Sequence, residues 1–323
     1  MNSPLWKYLP AGLAHRLAPL GLSFYASQMP EEIPQWRSMS WKGLQFPNRL
    51  GIAGGLDKNA SHLKTWERLG AGFIEVGTVT PYSQKSNPGK TVDRDWQQQN
   101  LWNRMGFPNH GAEEVYFNLH SEKSNLQIPV FVNIGKNRNR TNEDAEVDYI
   151  YLADRFAAVA DAFVINVSSP NTPGLRSLQS PEFLGALLPK LEKIVGKKPL
   201  LVKLSPDMSQ KEFEDCLEAS AIGGASGFIL TNTTLSRPSQ SNFPTEGGLS
   251  GKSLADLSKK HLKMAVSFLA DHRSEFLLVS VGGVLSARDV QERLDLGADL
   301  VQTYSALVFE GPQFFRKTAE VFR

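Results

Sequence analysis

From about residue 45 the chain settles into a rhythm of apolar run, polar turn and amphipathic stretch. Eight apolar runs read as strands, near residues 49–53, 73–78, 129–134, 162–167, 199–204, 227–231, 276–281 and 300–304. They are short and almost continuously hydrophobic, the pattern of parallel strands covered on both faces. Helical periodicity fills most of the gaps, and several gaps open on helix-start signals. Ser209 stands three residues before Glu212 and Ser286 three before Asp289, the spacing of a capping box, and Ser180 precedes Pro181. Strands alternating with helices predict a parallel sheet, and eight such units predict an α/β fold closed on itself, a (β/α)8 TIM barrel.

Three stretches depart from the rhythm. Residues 79–128 are too long for one helix and must hold further structure. Residues 232–255, rich in Ser, Pro and Gly, read as a mobile loop. Residues 1–40 carry Leu5, Leu9, Leu13 and Leu17 at four-residue intervals beside Trp6, then Pro19, then Leu20, Leu22, Phe24, Tyr25 and Met29. This predicts two short amphipathic helices joined near Pro19, a small N-terminal helical extension (1–40) in front of a barrel domain (41–323). Such a pair suits either a cap packed on the barrel or a lip that dips into a membrane surface.

Composition narrows the partners. A length of 323 residues suits one large barrel with a modest appendage, and 41% hydrophobic with 21% charged residues is an ordinary globular balance. A net charge of +2 gives no electrostatic case for a nucleic-acid partner. The single cysteine, Cys216, excludes an intramolecular disulfide and a cysteine-rich metal or iron–sulfur site within this chain, and it fits a reducing compartment. The six histidines lack paired ligand spacing, so no metal is predicted. The start carries one lysine before its apolar part and is broken by Pro10, His15 and Arg16, unlike a secretory signal. No apolar run approaches the roughly eighteen residues needed to span a bilayer.

Barrel enzymes place their chemistry at the C-terminal ends of the strands, and the unusual residues of this chain fall there. The fourth run, Ala162 to Ile165, breaks into the stretch NVSSPNTPGLRSLQ, Asn166 to Gln179, whose prolines and glycine cannot continue a strand. Asn166 and Asn171 offer donors and an acceptor in one plane, which suits a flat, carbonyl-rich ligand. A serine held beside them could take a proton if its surroundings made it basic. A polar surface turn is the plainer alternative. Lys203, flanked by apolar residues in LLVKLSPD, is expected to point into the barrel mouth. There a buried ammonium needs an anion, from a ligand or from a neighbouring carboxylate. The first run leads into GIAGGLDKN, a glycine turn that lets backbone approach a flat ligand and ends on a lysine. Phosphate sites in such barrels are built after strands seven and eight, where Gly283, Tyr304 and Ser305 fall.

The motif N-x-S-S-P-N-T-P-G-L-R-x-L-Q resembles the active-site loop of the dihydroorotate dehydrogenases, in the membrane-associated, quinone-reducing class 2. The resemblance covers about residues 12 to 313. It implies FMN as prosthetic group, oxidation of (S)-dihydroorotate to orotate in pyrimidine synthesis, a membrane quinone as electron acceptor and no required partner subunit. Ser169, second of the serine pair, takes the place of the family's catalytic base, where class 1 relatives carry a cysteine. Cys216 lies in a helical pattern far from this loop. Thr172 is expected to help relay the proton, because a free serine is a poor base near neutral pH.

By the same resemblance Asn103, Asn166, Asn171, Asn232 and Thr233 would bind the pyrimidine, and Lys58 would touch substrate. The segment NRMGFPN adds Arg104, Met105, Gly106 and Phe107 to that wall. The turn Gly54, Gly55, Leu56, Asp57 and Lys58 would lie along FMN, although the family usually has alanine where Gly54 stands. Thr78, Asn133, Asn166, Thr231, Gly251, Gly283, Tyr304 and Ser305 would complete the flavin site, with Lys203 against the charged edge of reduced FMN. AHRLA, Ala14 to Ala18, matches the family's tunnel helices and implies that His15 and Arg94 face a quinone tunnel. Around Arg94 the family's Pro-Arg-x-Phe-Arg-like stretch reads KTVDRDW instead. The helical pair then implies peripheral attachment to the cytoplasmic face of the inner or cell membrane.

Three rivals are a soluble class 1 enzyme using fumarate or a nicotinamide partner, a flavin barrel reducing uridines in transfer RNA, and a non-redox phosphate-binding barrel. Serine at 169 and the N-terminal helices speak against the first. The second needs a basic docking surface and usually an active-site cysteine, and the chain shows neither.

Overall fold

A computed structural model describes residues 5–322. Its centre is a closed barrel of eight parallel strands: Leu50–Asp57, Ile74–Val79, Val130–Ile134, Ala162–Asn166, Leu200–Leu204, Gly227–Leu230, Leu277–Val281 and Leu300–Thr303. The eighth strand closes on the first through Val301 opposite Leu50. Each strand falls on one of the predicted runs. The helix starts also stand as read. Ser209 and Ser286 form capping boxes with Glu212 and Asp289, and Ser180 accepts the amide of Phe183 ahead of the helix that Pro181 opens.

The pleat sorts the side chains. On each strand alternate residues face inward, and Phe73, Phe131, Val164, Leu201, Ile229 and Val279 fill the barrel interior. A hairpin of Met39–Trp41 and Leu44–Phe46 brings Phe46 under this floor. Its ring meets Phe73 and Phe131 edge-on at 5.9 and 6.2 Å. Two residues further along the same strands the inward positions turn polar: Glu75 after Phe73, Asn133 after Phe131, Lys203 after Leu201 and Gln302 after Leu300. The barrel therefore carries an aromatic and aliphatic floor with a polar layer on top of it.

Three local readings are corrected. The N-terminal extension is not two helices joined at Pro19. It is a short turn of 3-10 helix, Leu5–Tyr8, followed by one helix, Ala11–Ser27, that runs through Pro19. Proline costs a helix one amide donor. Beyond Pro19 the helix is held to the barrel by the packing of Leu22, Tyr25 and Ala26 and by the Ser23–Thr65 hydroxyl contact at 3.2 Å. The second half of the expected loop 232–255 is a strand, Gly248–Gly251, antiparallel to Asn100–Asn103. Its glycines serve close approach: a Cβ on Gly248 would stand 2.0 Å from Thr233 Oγ1, and one on Gly251 2.2 Å from the Gln99 carbonyl. Cys216, distant in sequence from the serine loop, is near it in space, its thiol 3.3 Å from the Gln179 carbonyl. The 79–128 insertion holds four short strands, Tyr82–Gln84, Val92–Asp95, Asn100–Asn103 and Asn109–Gly111, ahead of the helix Ala112–Lys123.

Candidate active site

One cavity of about 540 Å³ opens at the C-terminal mouth of the barrel and continues beneath the N-terminal helix. Its deep wall is the loop after strand four. Asn166 is buried, and its Nδ2 donates to Thr78 Oγ1 at 2.9 Å and to Asn133 Oδ1 at 3.2 Å. Its Oδ1 accepts from Ser168 Oγ at 3.2 Å and from Asn232 Nδ2 at 3.4 Å. Asn171 Nδ2 donates to Asn103 Oδ1 at 2.7 Å. Five asparagines from four parts of the sequence thus meet in one wall, and Thr231 and Thr233 line the same cavity. Arg176 braces this wall from outside, donating to the carbonyls of Ser168 and Thr233 and pairing with Asp207 at 2.7 Å.

Ser169 is only 6% exposed and lines the cavity. Its Oγ accepts the amide of Asn171 at 3.2 Å. An N–H aimed at this oxygen favours negative charge on it, the direction a base needs. Thr172 is buried behind the cavity wall, and its hydroxyl has no hydrogen-bond partner among the described residues. The Cys216 thiol is pushed up to about 12 by burial, which leaves it no nucleophilic role.

The polar layer forms the floor of the cavity. Lys203 pairs with Glu75 Oε1 at 2.9 Å, and both are buried. The same carboxylate accepts from Asn133 Nδ2 and from Gln302 Nε2, the latter at 2.7 Å. Of the two anions foreseen for Lys203, the protein carboxylate is therefore present. Gly54 leaves room for this carboxylate, since a Cβ there would stand 2.3 Å from Glu75 Oε1 and the side chain would have to shift. Glu75 and Gln302 were not picked out from the sequence. The signal was available, because each is a polar residue inside a largely apolar run, as Lys203 is.

The glycine turn supplies Gly54, Gly55, Leu56 and Lys58 to the cavity. Lys58 Nζ donates to the Gly55 carbonyl at 2.7 Å. Burial pulls its ammonium down to about 8, with Asp57 acting in the opposite sense. Asp57 itself does not reach the cavity. Its carboxylate is taken by the amides of Ser61 and His62, each at 2.9 Å, and by the Trp66 indole. Arg104 also lies off the wall, bonded to Glu246 and the Pro88 carbonyl, while Met105, Gly106 and Phe107 are on it. Gly251 stands behind its neighbour Ser250. Gly283, Tyr304 and Ser305 line the cavity at the ends of strands seven and eight, and burial raises the Tyr304 phenol to about 12.

The other end of the cavity is apolar. Leu9, Ala14, Leu17, Leu22 and Phe24 line it, with His15 among them. Loss of surrounding water pulls His15 down to about 4, and the Lys58 charge adds to that. Arg94 fastens this end to the barrel: it donates to the carbonyls of Trp6 and Leu9, each at 2.6 Å.

A family model for dihydroorotate dehydrogenase matches residues 38–322. The chain belongs to the dihydroorotate dehydrogenase family. The dihydroorotate dehydrogenase (quinone) of Deinococcus radiodurans is 44% identical over 282 residues, covering 84% of this chain and 75% of that protein. The enzyme of the same description from Bradyrhizobium sp. BTAi1 is 38% identical over 322 residues, 96% of this chain and 87% of that one. The crystal structure of DHODH in complex with ferulenol from Eimeria tenella superimposes with a TM-score of 0.88 at 29% identity, covering 99% of this chain and 94% of that one.

The family implies FMN, and the cavity fits it. Two buried acceptors facing the polar layer and the asparagine wall, Gln302 Oε1 and Asn171 Oδ1, have no partner among the described residues. As amide oxygens they match the N–H donors that a pyrimidine-type ring carries. Gly55, at φ 97°, keeps the backbone turn open, with Tyr304 3.5 Å from where a Cβ would stand. Gly283 and Ser305 present their backbone where a phosphate belongs in a barrel.

Proposed function

We infer that this chain oxidises dihydroorotate to orotate with FMN and passes the electrons to a quinone, in pyrimidine synthesis. One observation carries the reading: a serine, an asparagine wall and two lysines share a single cavity with an apolar tail helix. Bound FMN supplies the hydride acceptor and the relay of electrons to the quinone. The protein does the rest. Asn103, Asn166, Asn171 and Asn232 fix the substrate ring, and Lys58 holds its carboxylate. That alignment would set the carbon beside the ring carbonyl against Ser169, whose Oγ would take its proton, and leave the neighbouring C–H for the hydride chemistry that FMN would supply. Thr172, buried three residues along the loop with its hydroxyl unpaired among the described residues, is the group that would help relay the proton. Lys203, steered by Glu75, places its charge at the flavin's electron-rich edge.

The labour divides along the chain, with residues 41–323 as the catalytic barrel and residues 1–40 as the quinone channel. His15, deprived of its charge, and Arg94, turned to backbone carbonyls, suit an uncharged quinone in that channel. No helix among the described residues is long and apolar enough to cross a membrane. Tyr8, Leu20 and Phe24 nevertheless leave 72–78% of their surface exposed on the tail, which supports docking on a membrane surface; the family resemblance makes that the cytoplasmic face of the inner or cell membrane.

Half-reactions test the assignment. Deleting residues 1–35 is expected to spare anaerobic bleaching of the flavin by dihydroorotate and to impair reoxidation by a ubiquinone analogue. Equal survival of both steps refutes the channel. Brisk turnover with fumarate and none with the quinone analogue refutes the choice of acceptor.

A further inference from the structure

Behind the wall of the cavity lies a cation that the chemistry above does not use. Arg293, on the helix Ala287–Asp295 that follows strand seven, is 1% exposed. Its guanidinium donates to Ser258 Oγ at 2.7 Å, Ser280 Oγ at 2.9 Å, the Ala255 carbonyl at 3.0 Å and the Gly282 carbonyl at 2.7 Å. All four acceptors are neutral. Asp289, Glu292 and Asp256 act on it only from a distance, and its Nε has no partner among the described residues. A buried guanidinium without a paired anion is costly by several kcal/mol, so an anion close by would relieve it.

The bond to Gly282 shows which way that anion lies. The Gly282 carbonyl and the Gly283 amide belong to one trans peptide, so they point in opposite directions. Arg293 occupies the carbonyl side, and Gly283 lines the cavity on the other. The Gly283 N–H has no acceptor among the described residues. Donation to the carbonyl polarises the peptide and strengthens its N–H as a donor. The remaining contacts hold the peptide still. Ser258, besides accepting from Arg293, donates to the Val281 carbonyl at 2.7 Å. Gly283 is so close to the helix Ala255–Leu269 that a Cβ on it would stand 2.6 Å from the Ala255 Cα. The cationic side chains on the cavity wall, Lys58, Arg94 and Lys203, come from the end of strand one, the insertion and strand five. None comes from the strand-seven or strand-eight end, where the phosphate belongs.

We propose that Arg293 is the positioning residue of the phosphate end of the cavity, aiming the Gly282–Gly283 peptide at a phosphate dianion and supplying the countercharge from behind the wall. The proposal rests on the FMN reading. It differs from a purely structural role for Arg293 in one respect: it concerns the phosphate and leaves the rest of the flavin alone.

Riboflavin, which lacks the phosphate, separates the two. Flavin-free protein prepared from the holoenzyme is titrated with FMN and with riboflavin by fluorescence quenching. Arg293→Met is expected to weaken FMN by at least about tenfold while riboflavin changes by less than about twofold. Arg293→Lys keeps the charge but cannot span four acceptors, so it is expected to weaken FMN by about threefold or more, with riboflavin again unmoved. If Arg293→Met does not fold, the lysine variant decides. Equal losses for FMN and riboflavin, or an unchanged ratio in the lysine variant, overturn the positioning role and leave the FMN assignment standing. A wild-type protein with no preference for FMN over riboflavin overturns both.

Discussion

Lys203 and Glu75 are the most informative pair to perturb, because the geometry sets both the size and the asymmetry of the effect. Their charged atoms stand 2.9 Å apart and are buried. At an effective dielectric near 20 the attraction is about 6 kcal/mol, most of it cancelled by the desolvation of two ions. A single variant reads something else, the cost of leaving one ion buried without its partner, about 3–5 kcal/mol. The two single variants are not equivalent. Lys203→Met leaves Glu75 with its bonds from Asn133 and Gln302. Glu75→Gln leaves Lys203 with no carboxylate, and Glu75 is its one hydrogen-bond partner among the described residues. Glu75→Gln is therefore expected near the top of that range and Lys203→Met near the bottom. The double variant removes both charges and should be less destabilised than the sum of the singles by about 1–3 kcal/mol. Urea unfolding of the flavin-free protein measures all three, with a constant m value as the check that one transition is compared. A coupling energy below about 0.5 kcal/mol would mean that the two side chains are neighbours and not energetic partners.

Three further outcomes follow from the site. Ser169→Ala is expected to keep FMN bound and to slow flavin reduction by about 10²–10⁴-fold; stopped-flow bleaching with dihydroorotate checks this, and unchanged kinetics rule Ser169 out as the base. Lys58, pulled down to about 8 by burial, is charged below that pH and neutral above it. The KM for the dihydroorotate anion should then be low below pH 8 and rise through it, and Lys58→Gln should give a high, flat profile. The sign for stability is opposite: the unfolded chain holds this proton up to the ordinary lysine value, so burial of Lys58 costs most below pH 8 and the cost fades as pH rises. Arg94→Ala removes the donors to the Trp6 and Leu9 carbonyls, and is expected to slow reoxidation by the quinone while dihydroorotate still reduces the flavin at the parent rate.

The strands were legible because parallel barrel strands are hydrophobic on both faces and short, a pattern that survives without tertiary context. The serine loop was legible because its residues are contiguous. What escaped was set by approach distances that sequence does not carry. Pro19 reads as a break, yet the helix crosses it, because Leu22, Tyr25 and Ala26 are packed on the barrel. The glycines of 247–251 read as mobility, but the backbone there pairs with Asn100–Asn103 and leaves no room for a Cβ. Asp57 and Arg104 sit inside matching motifs, yet their side chains point to amides and to Glu246, away from the cavity. Glu75 and Gln302 were readable in principle. Each stands two residues beyond an inward apolar side chain of its strand, a parity it shares with Lys203, which its apolar neighbours singled out.

That parity also accounts for how one barrel can hold a rigid site over an inert floor. Inward residues come in layers, and moving up one layer changes the chemistry from Phe73, Phe131 and Leu201 to Glu75, Asn133 and Lys203 without changing the backbone. Side chains set by strand register have little freedom to drift, so the floor of the cavity is fixed before any ligand arrives. The serine loop and the glycine turn rise from strand ends in the same ring, and the tail helix closes over them. Polarity therefore falls along a single cavity, from Gln302 and Lys203 at the bottom, through the asparagine wall, to Leu17 and Phe24 at the rim. A charged, water-soluble substrate and an apolar electron acceptor need opposite surroundings. A cavity graded in this way offers each of them its own end and lets a flat redox group between them serve both.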